Sequence, residues 1–234
     1  MFICFWIFIF ISFINSSKYD SCSSRYIQNL TLSPLSTLNE HEMVPISDNK
    51  IIVVGDSRME FIENKKDKLN IPNNLSFIAK SGAKIDWLEN YALDKLENKL
   101  NNIDENYNYH VVVNLGVNDL NSTSSVENIA VNYFNYYKNL ALKYPNIKFY
   151  ALAVNPVDEK TIDSKWYGNK RNNRKIRNFN AVMNNLIEKK DLNNLSICDS
   201  YHSLSFYLPD GLHYDTNTDQ KIIDYIANHC VKYT

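Results

Sequence analysis

The sequence predicts an α/β fold in which helices cover both faces of a parallel β-sheet. Short runs rich in Val, Ile and Phe recur along the chain without alternating polar residues, which is typical of strands buried on both faces. Segments with helical spacing of apolar residues separate these runs, so that strand and helix alternate five times. With right-handed crossovers, this order predicts a three-layer α/β/α sandwich around a flavodoxin-like, five-stranded parallel sheet.

The predicted elements follow one another in regular order. Strands are expected at 51–54, 75–79, 111–115, 147–154 and 195–198, and helices at 57–69, 85–96, 126–141, 176–187 and 222–226. In an open parallel sheet the functional site forms beyond the carboxyl ends of the strands. Four loops are therefore expected to line one crevice: Ser57 and the residues around Gly82, after Gly116 and after Val154.

Length and charge narrow the possible functions. A chain of 234 residues with 44% hydrophobic content can form one core of moderate size, but hardly two. We expect one domain at 50–234, preceded by an N-terminal extension at 18–49. The formal net charge of −1 provides no overall field to attract nucleic acid or an anionic membrane, so neither is an expected partner. The oligomeric state is left open.

Residues 1–17 have the composition of a targeting segment. The run from Phe2 to Ile14 is apolar except for Ser12, and it is about half to two-thirds of the length needed to span a bilayer. We interpret the segment as a secretory signal peptide. No Lys or Arg precedes the run and the following residues form a poor cleavage site, so an uncleaved N-terminal anchor is the alternative. Both interpretations predict a secreted or otherwise extracytoplasmic protein.

The cysteine spacing predicts no metal site. Cys4 lies in the predicted signal peptide, which leaves Cys22, Cys198 and Cys230. No CxxC or Cys/His spacing typical of metal ligands is present, and Cys198 lies in a run typical of a buried strand. One disulfide is compatible with an oxidising compartment, but the spacing does not select a pair. We assign no cysteine a chemical role.

Ser57 is the candidate nucleophile. The run Gly55-Asp56-Ser57-Arg58 directly follows the first predicted strand, so the hydroxyl can face the crevice together with the positive end of the next helix. A serine in this position suits nucleophilic catalysis. The alternative, which we weigh equally for this serine alone, is a helix N-cap with Glu60 completing a capping box.

A serine nucleophile needs a base with a pKa near the working pH, which histidine provides. His213 is the candidate, and Asp210 could orient it because Gly211 allows the tight turn that brings both side chains together. Asp199 and His202 have the same spacing just after the fifth strand and are a competing pair. The glycine favours Asp210 and His213.

Acyl transfer also requires hydrogen-bond donors for a negatively charged oxygen. Asn118, in the run Gly116-Val117-Asn118-Asp119 after the third strand, offers a side-chain amide. Gly82, after the second strand, offers a backbone N–H that a bulkier residue would obstruct. Either residue alone is more typical of an ordinary turn.

Taken together, these blocks resemble the SGNH (GDSL) hydrolase family from Ile51 to His213. The matching blocks, in the family's order, are Gly55-Asp56-Ser57, Gly82, Gly116-Val117-Asn118-Asp119 and Asp210-Gly211-Leu212-His213. The resemblance implies a nucleophile at Ser57, a base at His213 and an orienting acid at Asp210. It also implies an oxyanion hole formed by Ser57, Gly82 and Asn118, the flavodoxin-like sandwich, and no metal or organic cofactor. The first block has the form GDSR rather than GDSL, so lipase activity is not implied.

Three further residues are expected to contact substrate. Arg58 adjoins the nucleophile, Asn155 opens a long loop that runs through Trp166 and Tyr167, and Trp87 offers an aromatic ring for a sugar. A cationic cluster surrounds the start of the fourth helix: Lys165, Lys170, Arg171, Arg174, Lys175 and Arg177. One hypothesis is that this cluster and Arg58 attract an anionic substrate, although an ordinary solvated surface is favoured for the cluster.

These observations predict a serine esterase, or acylhydrolase, that removes a short acyl group, specifically acetyl, from a small-molecule or glycan ester. Two alternatives stay open. An SGNH-type O-acyltransferase would use the same residues with a sugar hydroxyl in place of water, and a carbohydrate-binding module would keep the fold with an idle site.

Overall fold

The computed structural model describes residues 49–165, 168–201 and 208–231, all of which belong to one unit of the chain, Val44–Thr234. The strands are β1 (Asn49–Gly55), β2 (Leu75–Ala79), β3 (Asn108–Asn114), β4 (Lys148–Leu152) and β5 (Leu195–Cys198). They form a five-stranded sheet in the order β2-β1-β3-β4-β5. Every neighbouring pair is parallel. The predicted α/β class and flavodoxin-like sheet are therefore confirmed.

The helices form the two outer layers. They are α1 (Ser57–Asn64), α2 (Ile85–Trp87), α3 (Leu93–Leu100), α4 (Val126–Lys143), α5 (Glu159–Lys165), α6 (Asn173–Lys190) and α7 (Thr216–Tyr225). A π-helical turn, Leu88–Ala92, joins α2 to α3, and another, Ile226–Cys230, extends α7. Apolar residues of α3, α4 and α6 pack on one face of the sheet, and those of α1 and α7 pack on the other.

Alternate residues of each strand face these two layers. In β1, Ile52 and Val54 belong to the cluster that contains α3, α4 and α6, whereas Ile51 and Val53 belong to the cluster that contains α1 and α7. All four side chains are buried. Each buried aliphatic side chain stabilises the fold by about 1.5–3 kcal/mol relative to exposure. Continuous apolar runs are therefore what this three-layer arrangement requires.

The helices differ from the prediction in several bounds, of which the end of α1 differs by five residues and the start of α7 by six, and in one additional helix, α5. Helix α1 ends at Asn64 rather than at 69. The chain then makes i+3 turns, and the Lys65 ammonium binds the Asp219 carboxylate at 2.6 Å. Leu69 is buried outside the helix, which explains why the apolar spacing extended the prediction. Helix α5 lies within the predicted long loop; only Ile162 of its residues is buried, so its sequence carries no helical periodicity.

The predicted signal peptide at 1–17 lies outside the described residues, as does nearly all of the extension predicted at 18–49. Within the described ranges, no helix is both long and apolar enough to cross a membrane.

A disulfide joins the end of β5 to the C-terminal helical segment. Cys198 and Cys230 are bonded, with their Cα atoms 5.5 Å apart. The bond closes a chain segment with a sequence separation of 32 residues. Asp210 and His213 lie inside this segment, so the cross-link restricts the loop that carries them.

We predict that reducing this disulfide lowers stability. In the chain-entropy model, closing a loop of this length stabilises a fold by on the order of 3–4 kcal/mol, which corresponds to roughly 10 °C in Tm for a domain of this size. Thermal unfolding with and without dithiothreitol measures the effect. The Cys198→Ala/Cys230→Ala double variant should have a low Tm that no longer responds to the reductant.

The Cys22→Ser variant is the control for this prediction, and its Tm should respond to dithiothreitol as the wild-type Tm does. A double variant that still responds to the reductant would show that the stabilising cross-link involves another cysteine.

Candidate active site

Ser57 is the first residue of α1, immediately after the end of β1. Asp56, not Ser57, is the N-cap, because its side chain accepts a hydrogen bond from the Arg58 N–H. The Glu60 carboxylate binds Ser81 instead of returning to the cap. The capping-box interpretation of Ser57 is therefore wrong, and its hydroxyl is available for another partner.

That partner is His213. The Ser57 Oγ lies 2.8 Å from His213 Nε2, and His213 Nδ1 lies 2.6 Å from Asp210 Oδ2. A carboxylate only accepts hydrogen bonds, so Nδ1 carries the ring proton and Nε2 accepts from the serine hydroxyl. The structure thus brings together the three predicted residues in the order that a serine nucleophile, a base and an orienting acid require.

The Asp210 carboxylate is held in its charged form. Burial alone would raise its pKa, but hydrogen bonds from the His213 ring and from the backbone N–H groups of His213 and Leu212 outweigh burial and lower the pKa below its ordinary value. Gly211, which follows Asp210 in this turn, has a φ of +72°. A Cβ at this glycine would lie 2.7 Å from the Ile162 nitrogen, so the tight turn requires glycine.

Phe61 is a site residue that the sequence prediction missed. Its ring stacks on the His213 imidazole, with 4.2 Å between centroids and 17° between planes. This contact limits rotation of the imidazole away from Ser57. The signal that could have identified it is spacing, because residues four apart on a helix share one face and Phe61 follows Ser57 by one turn of α1.

Gly82 lies in an exposed turn after β2 and has a φ of +72°. A Cβ built there would contact nothing within 4 Å, so the space beside its backbone is open. The Glu60 carboxylate accepts hydrogen bonds from the backbone N–H and the hydroxyl of Ser81, which ties this turn to α1. Within the described residues, the Gly82 and Ser57 backbone N–H groups have no hydrogen-bond acceptor.

Asn118 follows β3 and is buried. Its Nδ2 donates to the Ala83 carbonyl at 3.0 Å, next to Gly82, so the amide lies against the same turn. The neighbouring Asp119 carboxylate accepts from the Tyr133 hydroxyl at 2.7 Å and the Ile85 N–H at 3.3 Å. Burial raises the pKa of Asp119, although these hydrogen bonds oppose the rise. The hydrogen bonds from Asn118 and to Asp119 thereby join the Gly82 turn to the segment after β3.

Arg58 does not have the expected position. Its side chain is only 2% exposed, and its guanidinium faces the interior. Nε donates to the Leu212 carbonyl at 3.1 Å, and the two Nη atoms donate to the carbonyls of Asn155 and Pro156 at 2.8 and 3.2 Å. The group also lies 4.9 Å from the centroid of the Tyr214 ring. In this structure Arg58 joins the loop after β4 to the loop that carries His213.

The other two residues expected to contact substrate differ in burial. Asn155 is fully buried; its Oδ1 accepts from the Ser200 hydroxyl at 2.7 Å, and its Nδ2 has no partner among the described residues. Trp87 is partly buried against the core. Trp166, Tyr167 and the competing base, His202, lie outside the described residues.

Members of the predicted cationic cluster do not form a single free surface. Arg171 and Lys175 donate to backbone carbonyls of the segment after β3, and Arg177 donates to the Tyr201 hydroxyl. Lys165, Lys170 and Arg174 are exposed. Across residues 49–165, 168–201 and 208–231, no group of three or more His, Cys, Asp and Glu side chains has an arrangement that could hold a metal ion.

We predict that Arg58→Leu destabilises the protein by about 3 kcal/mol, because it leaves three carbonyls without their charged donor. Urea unfolding measures the change. Arg174→Leu, at an exposed position, should change the free energy of unfolding by less than about 0.5 kcal/mol. Unchanged stability of Arg58→Leu, together with a raised KM, would instead indicate a direct substrate contact.

Comparison with known proteins identifies the fold. No family model matches the sequence, and no curated protein matches it. Solved structures, among them the following three, match over most of their lengths.

The first is a protein from Streptococcus pneumonia assigned as a platelet activating factor, with a TM-score of 0.62 and 18% identity over 81% of this chain and 87% of that chain. The second is a member of the lipolytic protein G-D-S-L family from Veillonella parvula, with a TM-score of 0.51 and 13% identity over 77% and 97%. The third is Est24, a carbohydrate acetylesterase from Sinorhizobium meliloti, with a TM-score of 0.53 and 15% identity over 76% and 98%. The chain therefore has the fold of the SGNH/GDSL hydrolases.

Proposed function

We propose that the protein is a serine esterase that removes a short acyl group through an acyl-enzyme. The observation that carries this proposal is the hydrogen-bonded series from Asp210 through His213 to Ser57, with distances of 2.6 and 2.8 Å. Histidine has an ordinary pKa near neutrality, and the orienting carboxylate stabilises the imidazolium that forms when the ring accepts a proton.

In the acylation step, Ser57 Oγ attacks the ester carbonyl carbon while His213 Nε2 takes the hydroxyl proton. The carbonyl oxygen becomes negative, and we assign three donors to stabilise it: the Ser57 N–H, the Gly82 N–H and the Asn118 amide. The carbon–oxygen bond to the alcohol then breaks, and His213 gives its proton to the departing oxygen. An acyl-serine and a free alcohol result.

In the deacylation step, water attacks the acyl-serine while His213 Nε2 takes one of its protons. The second tetrahedral intermediate collapses, the acid is released, and His213 returns the proton to Ser57 Oγ. With a sugar hydroxyl instead of water the product would be an acylated sugar, which is the acyltransferase alternative. Product analysis with and without a glycan acceptor separates the two reactions.

A short acyl group, acetyl above all, suits the crowded surroundings of the nucleophile. Ser57, Asn118 and His213 are 6%, 5% and 8% exposed, and Phe61 covers one face of the imidazole. For the alcohol side we propose a glycan, since one similar structure is a carbohydrate acetylesterase and the partly buried Trp87 follows the Gly82 turn.

We further propose that the protein acts outside the cytoplasm. The Cys198–Cys230 disulfide supports this location, because structural disulfides persist mainly in oxidising compartments. The apolar N-terminal run supports export as well.

The proposed nucleophile and base predict a labelling pattern. A fluorophosphonate probe should label the wild-type protein, whereas Ser57→Ala should abolish labelling and His213→Ala should lower its rate at least about a thousandfold, since these residues act as a unit. In-gel fluorescence over a time course measures the rates.

Two variants serve as controls: Ser124→Ala and His229→Ala replace an exposed serine and an exposed histidine, and both should label at the wild-type rate. Labelling that survives in Ser57→Ala would overturn the proposed function. Labelling lost in His202→Ala but retained in His213→Ala would move the base to His202. A wild-type protein that binds glycans without reacting would indicate the idle carbohydrate-binding module.

A further inference from the structure

Arg171 connects the loop before α6 to the segment that carries Asn118. Its side chain is partly buried, its Nε donates to the Val117 carbonyl at 3.0 Å and its Nη2 donates to Asn118 Oδ1 at 3.0 Å. Asn169 holds the same arginine from within its loop, since Oδ1 of Asn169 accepts from the Arg171 backbone N–H at 3.1 Å. The sequence hypothesis in which Arg171 attracts an anionic substrate, and the favoured one in which it is simply solvated, both leave out these contacts: its donors point at protein oxygens.

These contacts determine which way the Asn118 amide is turned. A guanidinium only donates hydrogen bonds, so the amide atom that faces Arg171 must be the oxygen. A carbonyl only accepts, so the amide atom that faces Ala83 must be the nitrogen, 3.0 Å away. Both partners therefore select the same orientation. One N–H of the amide binds Ala83, and the other has no acceptor in the described part of the chain.

We propose that Arg171 is a positioning residue, which orients the Asn118 amide so that its unused N–H donates to the negatively charged oxygen formed during acyl transfer. This inference rests on the proposed esterase function. A flipped amide would present its oxygen to that charge and repel it. The positive guanidinium also polarises the amide and strengthens its N–H as a donor, because hydrogen bonds in series reinforce one another at low local dielectric.

The guanidinium is suited to this role because its donors are arranged in a rigid plane. Nε binds the Val117 carbonyl while Nη2 binds the Asn118 side chain. The Asn118 side chain is thereby limited in its rotation relative to the adjoining backbone. A lysine ammonium is a point charge without this fork and cannot reproduce the paired geometry. Arg171→Lys is therefore expected to recover only part of the effect.

The test is a double-mutant cycle with p-nitrophenyl acetate as the substrate. Asn118→Ala should lower kcat about a hundredfold to a thousandfold, the usual effect of removing one oxyanion donor. Arg171→Met should lower kcat about tenfold to a hundredfold and change KM less than about threefold, since the oxyanion exists only in the transition state. The Asn118→Ala/Arg171→Met double variant should be no slower than Asn118→Ala, within about threefold, because Arg171 acts through Asn118.

Asn121→Ala is the matched control. Asn121 Oδ1 accepts from the Lys170 N–H at 2.7 Å, so its side chain ties the same two segments together. Only its backbone N–H donates to Asn118, to the carbonyl at 3.4 Å, and the alanine variant keeps that bond. Its kcat should stay within about twofold of the wild-type value, and circular dichroism should show that every variant is folded. Losses that multiply in the double variant, or an equal loss in Asn121→Ala, would overturn the positioning role.

These outcomes are distinct from failure of the proposed function. A wild-type protein that neither hydrolyses p-nitrophenyl acetate nor reacts with the fluorophosphonate overturns the esterase proposal, and the positioning role is overturned with it. An active wild-type enzyme with multiplicative losses overturns the positioning role alone.

Discussion

The contact between the Ser57 hydroxyl and the His213 ring joins positions 156 residues apart in sequence. The parallel sheet makes this contact possible, because every strand delivers its following loop to the same edge. Ser57 follows β1 directly, and His213 lies in the loop between β5 and α7. The intervening elements bring these two loops together, so the contact between Ser57 and His213 depends on the whole sheet being formed.

The buried guanidinium of Arg58 connects the loop after β4 to the loop that carries His213. Moving the Arg58 guanidinium from water into the interior costs free energy. An ion pair as weak as those on protein surfaces would not compensate for that cost. Its donors bind three backbone carbonyls, on both sides of the gap between the β4 loop and the His213 loop. Charge-assisted hydrogen bonds are roughly twice as strong as neutral ones, and they satisfy carbonyls that no strand or helix pairs. Arg58, next to Ser57, therefore ties these two loops together through carbonyls of the protein.

Sequence alone predicted the sheet well because burial on both faces leaves a strong signal. β2 and β5 have the predicted boundaries, and the four sequence blocks meet at one edge. Helix α5 left no such signal, since only Ile162 of it is buried. The direction of the Arg58 side chain could not be predicted either. Adjacency to Ser57 places the backbone, but distant carbonyls determine where a long, flexible side chain lies.

The two arginines near the site share a further property. Arg58 and Arg171 both bind neutral oxygens, and within the described residues neither forms an ion pair with a carboxylate. Asp56 interacts electrostatically with both, but its hydrogen bond comes from a backbone N–H, and burial raises its pKa. Carbonyl and amide partners satisfy the geometry of a guanidinium without cancelling its charge, whereas a carboxylate partner would cancel it. The positive charges of Arg58 and Arg171 are therefore not cancelled by a contacting carboxylate, and under the proposed function they lie near Ser57, only 6% exposed, where acyl transfer would create a negative oxygen.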